Sequence, residues 1–301
     1  MTITGKGRDV LHRGVEGVYF GSAFQFVGDG FRVSNYFPSV NRFLQRFSPF
    51  ILMDYMSPYE WPGTDKARGV GAHPHRGFEA VTFVYQGKVE HHDNAGNHGV
   101  IGAGDVQWMT AGAGVLHKEY QEKEFARTGG IMQAIQLWIN LPRKDKMVAP
   151  RYQTLLAENM GRIELDDNQG RIRIIAGDYA GVKGPAHTFS PITIYDVELI
   201  ANARIELEMN ESFHCGILVL NGSMFVNGKE KVSETQFALL NNEVGNIEVQ
   251  AGPDGVMFIV LSGEPLNETY IQHGPFVMSN KQEIVDAYDD LNHGKFGSFD
   301  F

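Results

Sequence analysis

Cysteine is almost missing from this 301-residue chain. Cys215 is the only one, which excludes an intrachain disulfide and suits a reducing compartment. It lies in the apolar run FHCGILVL, where a buried inert thiol is expected rather than a nucleophile. Basic residues are also in deficit, 26 against 36 acidic, for a formal charge of −10. An acidic surface repels phosphate backbones, so direct nucleic-acid binding is not expected. Long apolar runs are absent, so no membrane span is expected. The opening MTITGKGRDVLHRGVEG has no continuous apolar core of a signal peptide, and the expected location is cytoplasmic.

What the chain does contain is a succession of short β-type runs divided by turn residues. YFGSAFQF, FRVSNYF, FILMDYM, EAVTFVYQG, VQWMTAG and IMQAIQLWINL fill the first half. RIRIIAG, ITIYDVELI, CGILVLNGSMFVNG, QFALL and GVMFIVLSG fill the second. Such spacing predicts a sandwich or barrel. Asn-Gly at 221–222 and 227–228 marks turns, the first expected to join a hairpin. LPRKDKMVAPRYQTL (141–155), with two prolines and a charge cluster, is the expected crossover between two halves. One helix is expected, KQEIVDAYDDLNHG, capped by Ser279 or Asn280 and closed by Gly294. Its stripe of Ile284, Val285, Tyr288 and Leu291 should pack on a barrel exterior.

Chemistry is concentrated in two pieces, GAHPHRGFE and GAGVLHKE. His73 and His75, then His117 and Glu119, are each separated by one residue. Alternate strand residues share a face, so each pair offers two ligand-grade groups to one side. Three imidazoles and a carboxylate suit a divalent first-row transition metal with coordination positions left open. Six of the eleven histidines fall between 73 and 117. Pro74 suits a strand start or edge. A bulge at Gly77 decides whether Glu79 shares the face of His73 and His75, so Glu79 competes with Glu119 for the fourth position. Parity with His117 favours Glu119 and leaves Glu79 as a supporting residue.

His91, His92 and His98 in VEHHDNAGNHG read as a solvated hairpin tip, and His214 beside Cys215 lacks the partners for a second metal site. Trp108, beside Gln107 and Met109, reads as a cavity wall or, more commonly, a core residue. Arg76 and Lys118 alternate with the ligands and should face away. GAGAG is no phosphate loop, because neither Lys-Ser/Thr nor a helix follows it.

The block HPHRGFEAVTFVYQGKVEHHDNAGNHGVIGAGDVQWMTAGAGVLHKE (73–119) resembles the pirin family of the cupin superfamily, as do IQLWINLP, SPFILMDYM and GPFVMSNKQEIVDAY. The resemblance implies an all-β fold of two tandem cupin barrels (double-stranded β-helix, jelly-roll) with a short C-terminal helix. The expected division is 1–145, metal-binding, and 146–301, metal-free. It carries the ligand role onto His73, His75, His117 and Glu119, with Glu119 rather than Glu79 as the carboxylate. Iron is the implied metal, with Cu, Mn, Ni, Co or Zn as alternatives. Two activities attach to such proteins. One is quercetin 2,3-dioxygenase chemistry, in which a flavonol and dioxygen yield a depside and carbon monoxide, with Glu119 as the catalytic base. The other is a non-catalytic, metal-dependent or redox-sensing role, binding a protein partner as a transcription cofactor. The enzymatic reading is preferred, because open coordination positions argue against a purely structural ion.

Overall fold

In a computed structural model, residues 11–38 and 46–298 are described. Contacts divide them into two compact units with exchanged ends. Met160–Pro265 joins the residues up to Gly21, while Ser22–Asn159 joins those from Leu266 onward. The division by contacts falls between Asn159 and Met160, where the sequence reading set it between 145 and 146. Arg151–Leu155, inside the expected crossover, is a strand paired with Val106–Thr110. The terminal helix belongs to the unit of the histidine pairs, not to the second half of the chain.

The unit of the histidine pairs is built on two large antiparallel sheets, with a two-stranded sheet of Ile271–His273 and Phe276–Met278 in its tail. Seven strands run in the order Arg151–Leu155, Val106–Thr110, Phe78–Gln86, Gly129–Asn140, Phe50–Pro62, Phe31–Phe37, Gln25–Val27. Four run in the order Gly69–His75, Val115–Gln121, Val89–Asp93, His98–Ile101. Phe31, Met56, Val84 and Met132 of the larger sheet join Val89 and Ile101 of the smaller in one buried cluster, so the sheets pack face to face. Neighbouring strands are mostly distant in sequence, the jelly-roll arrangement expected of a cupin barrel.

The tail returns to this unit. Asn280 caps the helix Lys281–Asn292 by accepting from the Glu283 amide, and Glu283 accepts from the Ser279 amide. Both expected caps thus take part, in a capping box. Ile284 and Ala287 pack with Phe276 and Phe296 against Leu116, on the strand of His117 and Glu119. Val285, expected in the apolar stripe, is instead exposed.

The second unit curls a nine-stranded antiparallel sheet, beside a two-stranded one of Asp178–Tyr179 and Val182–Lys183, around an apolar core that includes Ile174, Val197, Ile217, Val226, Val249 and Phe258. Its strand His214–Val226 pairs with Gln236–Leu240 near one end and Glu230–Ser233 at the other. Asn221-Gly222 is a bulge within that strand rather than the expected hairpin turn; Gly222 takes a positive φ where the register shifts. Asn227-Gly228 makes the tight turn, both residues having positive φ. Cys215 is buried here, and burial pushes its thiol up to about 12, so it is inert as expected. Among the described residues, no helix is long and apolar enough to cross a membrane.

Candidate metal centre

The strand Val115–Gln121 alternates buried and half-buried residues without interruption, placing Val115, His117, Glu119 and Gln121 on the inner face. His117 lies opposite His73 on one side and Asp93 on the other. Glu119 lies opposite Val70 and His91, after a register shift in the neighbouring strand. Strand parity thus turns His117 and Glu119 inward, while Lys118 takes the other face.

The ring contacts bring His73, His75 and His117 together, with centroids 4.2–4.9 Å apart. One ligand atom from each of the three lies within 4.8 Å of the others, and the same holds for His91, His117 and Glu119. His117 is common to both groups. Hydrogen bonds select the ring nitrogens. His73 Nδ1 donates to the Gly71 carbonyl at 2.8 Å, and His75 Nδ1 to the Pro275 carbonyl at 3.3 Å. Each leaves Nε2 with a free lone pair, the arrangement that backbone carbonyls impose on metal-binding histidines. His117 Nδ1 faces His91 Nδ1 at 3.4 Å, while its buried Nε2 has no protein partner. A buried polar atom without a partner is costly, and a metal ion satisfies it. The donor set therefore fits a divalent transition metal. Burial, then the proximity of His73, lowers His75 to about 3, and burial holds His117 well below its ordinary value. Both rings are neutral at physiological pH, as ligation requires.

His91 was expected at a solvated hairpin tip; it is completely buried. Its Nε2 donates to Asp93 Oδ2 at 3.2 Å, leaving Nδ1 to accept from His117. Although burial opposes it, hydrogen bonds from His91 and Asn97 hold Asp93 below the usual carboxylate value. His91 stacks on Tyr152, with centroids 4.6 Å apart and planes 19° apart. The Tyr152 hydroxyl, pushed up to about 12 by burial, donates to Gln107 Oε1 at 3.2 Å. That bond turns the Gln107 amide nitrogen toward Glu119 Oε1, 2.8 Å away, while Gln136 Nε2 donates to Glu119 Oε2 at 3.0 Å. Gln107 and Gln136 belong to a row of directly paired residues, Asn35, Asp54, Gln136, Thr82 and Gln107, crossing five strands of the larger sheet. Paired residues share a face, so this polar row lies opposite Glu119 inside an otherwise apolar sandwich.

Glu79 takes no part. The chain breaks between the two sheets at Arg76 and Gly77, where Gly77 has φ of 86° and a Cβ would stand 2.0 Å from the Val277 carbonyl oxygen. Parity restarts beyond it. Phe78, Ala80 and Thr82 face inward, and Glu79 turns to the opposite side, accepting from Thr110 at 2.7 Å. Burial raises Glu79 to about 7. Trp108 is fully buried and, one residue from Gln107, faces away from the centre. The indole beside the site is that of Trp138, 5.2 Å from His75 and stacked on Phe78. Arg76 faces away as expected, donating to Ala113 and pairing with Asp290 at 2.9 Å.

A cavity of about 40 Å³ adjoins Glu119 and His73, walled by Val27, Phe31, Val33, Met56 and Val89, with Asp54 and Gln136 on its polar side. Asn35 donates to Asp54, yet burial keeps that carboxyl above its ordinary value.

The pirin family model matches residues 30–139, and the model of the pirin C-terminal cupin domain matches residues 194–297. A Pseudomonas aeruginosa protein named "Putative quercetin 2,3-dioxygenase" is 49% identical over 282 residues, covering 94% of this chain and 98% of its own. A tomato (Solanum lycopersicum) protein named "Pirin-like protein" is 35% identical over 256 residues, covering 84% of each chain. The crystal structure titled quercetin 2,3-dioxygenase from Acinetobacter baumannii superposes with a TM-score of 0.91 at 44% identity, covering 96% of this chain and 99% of that one.

Proposed function

We propose that this protein, which belongs to the pirin family, is a metal-dependent oxidoreductase of the quercetin 2,3-dioxygenase type. It opens a flavonol with one dioxygen, and the products are a depside and carbon monoxide. The observation that carries this reading is the unpartnered, buried Nε2 of His117, grouped with His73 and His75 and next to a carboxylate set by two amides. The proposed ligands are His73, His75, His117 and Glu119. Iron is the proposed ion; a His₃–carboxylate donor set also accepts Mn, Co, Ni, Cu or Zn. When bound, the metal supplies Lewis acidity toward a substrate hydroxyl and electronic access to dioxygen.

The remaining tasks fall to the chain. Glu119 is the base that takes the flavonol 3-hydroxyl proton. Gln107 and Gln136 donate to its two oxygens and set its orientation, and Tyr152 fixes the amide of Gln107. The Val27, Phe31, Val33, Met56 and Val89 walls offer apolar contact to aromatic rings. About 40 Å³ holds a few waters or dioxygen, far below the roughly 300 Å³ at which small-molecule pockets begin. A flavonol therefore enters only when the wall opens. The opening is assigned to the hairpin of Gln25–Val27 and Phe31–Phe37, which contributes Val27, Phe31 and Val33 and whose first strand, at the sheet edge, is paired on one side.

The test is quercetin turnover by iron-loaded protein, with carbon monoxide measured against oxygen consumed. A one-to-one ratio, lost in Glu119→Gln, is expected. Absence of carbon monoxide from metal-replete wild-type protein overturns the proposal.

A further inference from the structure

The strand Val89–Asp93 has two faces with different chemistry. His91 and Asp93 point inward to the centre described above; Glu90 and His92 lie on the outer face. His98, on the adjacent strand His98–Ile101, stands directly opposite His92. The two rings lie 4.2 Å apart. Glu90 Oε1 is 2.8 Å from His92 Nε2 and 3.1 Å from His98 Nε2. These three form the one further ligand group among the described residues, apart from the two that share His117.

We infer that Glu90, His92 and His98 form a second, surface binding site for a borderline divalent cation such as Zn²⁺, Ni²⁺ or Cu²⁺. Ligands bound at about 2.0–2.2 Å around a tetrahedral or octahedral ion stand roughly 2.9–3.5 Å apart. The two distances on Glu90 are within a few tenths of an ångström of that range, so an ion replaces the protons between these groups with little rearrangement. Antiparallel pairing fixes the two imidazoles at no added chain-entropy cost, since both strands are already ordered by the barrel. Two nitrogens and one carboxylate oxygen select imidazole-preferring metals over Mg²⁺ or Ca²⁺.

Lys118 lies opposite His92 on the other neighbouring strand. Its charge offsets that of Glu90, so affinity rests on the imidazoles and falls below that of the inner centre. Glu90, His92 and Lys118 also line a surface cavity of about 340 Å³ with Tyr120, Lys66 and Lys123. Water or an anionic donor from this basic cavity completes the coordination. The site does not depend on the proposed dioxygenase activity.

The test is Ni²⁺ and Zn²⁺ titration of protein whose inner centre is already filled, read by calorimetry and by the imidazole ¹⁵N resonances. Wild-type protein should take up one additional equivalent, shifting the Nε2 signals of His92 and His98. His98→Ala should weaken that equivalent at least tenfold and leave the tight one in place. His98 is more than half exposed at its side chain, so this change spares the core; His92→Ala is the second variant. No additional equivalent in the wild type, or one that persists unweakened in both variants, overturns the inference.

Discussion

Individual side chains divide into those that offer lone pairs and those that aim them. His117 and Glu119 belong to the first kind, and His91, Gln107 and Gln136 to the second. Removing a positioning partner costs a metal site about 10- to 100-fold in affinity or activity. Gln107→Leu should fall in that range because it removes the shorter of two hydrogen bonds to Glu119 Oε1, leaving that of Thr82, and leaves His91 Nδ1 with one donor fewer. Iron affinity and kcat/KM, measured side by side, would show it; unchanged values of both would remove Gln107 from the site. Glu79 provides the contrasting case. Its folded value near 7, against 4.5 ordinarily, means that the folded chain keeps a proton which the unfolded chain releases between those pH values. Stability contributed by that proton is complete below about 4.5 and is lost as pH rises through 7. Glu79→Gln should therefore match the wild type at pH 4 and exceed it by up to about 3 kcal/mol at pH 8. Urea unfolding of the metal-free protein at the two pH values reads the difference.

At the scale of elements, legibility followed range along the chain. The strand Val115–Gln121 could be read by parity because nothing interrupts its alternation. Glu79 could not, since Gly77 resets the alternation between two sheets, and only the packing of Val277 against Gly77 reveals the break. His91 carried no local mark that separates it from His92, its half-buried neighbour. Its burial follows from pairing with Glu119, a relation between strands 28 residues apart. Gln107 and Gln136 were likewise set in one row by register across the sheet. Two element-scale changes test this account. Asn280→Ala removes the cap of the helix packed behind Leu116 and should cost about 1 kcal/mol, seen as a lower urea midpoint. Val27→Ala loosens the hairpin wall of the cavity and should lower KM for quercetin more than it alters kcat. An unchanged KM would place the flavonol entrance elsewhere.

Across the whole molecule, the all-β, two-cupin architecture was legible from the strand runs and the family resemblance, whereas the assignment of the chain ends was not. The tail is apolar and helical in pattern wherever it docks. Non-local contacts, among them Pro275 with His75, Asp290 with Arg76 and Phe296 with Asn94, tie it to the unit of the histidine pairs. The residues around 15–20 pair with Gln236–Leu240 for the same kind of non-local reason. Because ligand lone pairs are organised before metal arrives, the ion should add stability by mass action: at a free concentration 100 times Kd, about 2.7 kcal/mol. The proposed centre holds one ion by three imidazoles and a carboxylate. X-ray absorption fine structure on protein loaded with one equivalent of iron tests it most directly. Three imidazole nitrogens with oxygen ligands at about 2.0–2.2 Å are expected, falling to two imidazoles in His117→Gln. Two or fewer imidazoles in the wild type, or a spectrum unaffected by His117→Gln, would contradict it.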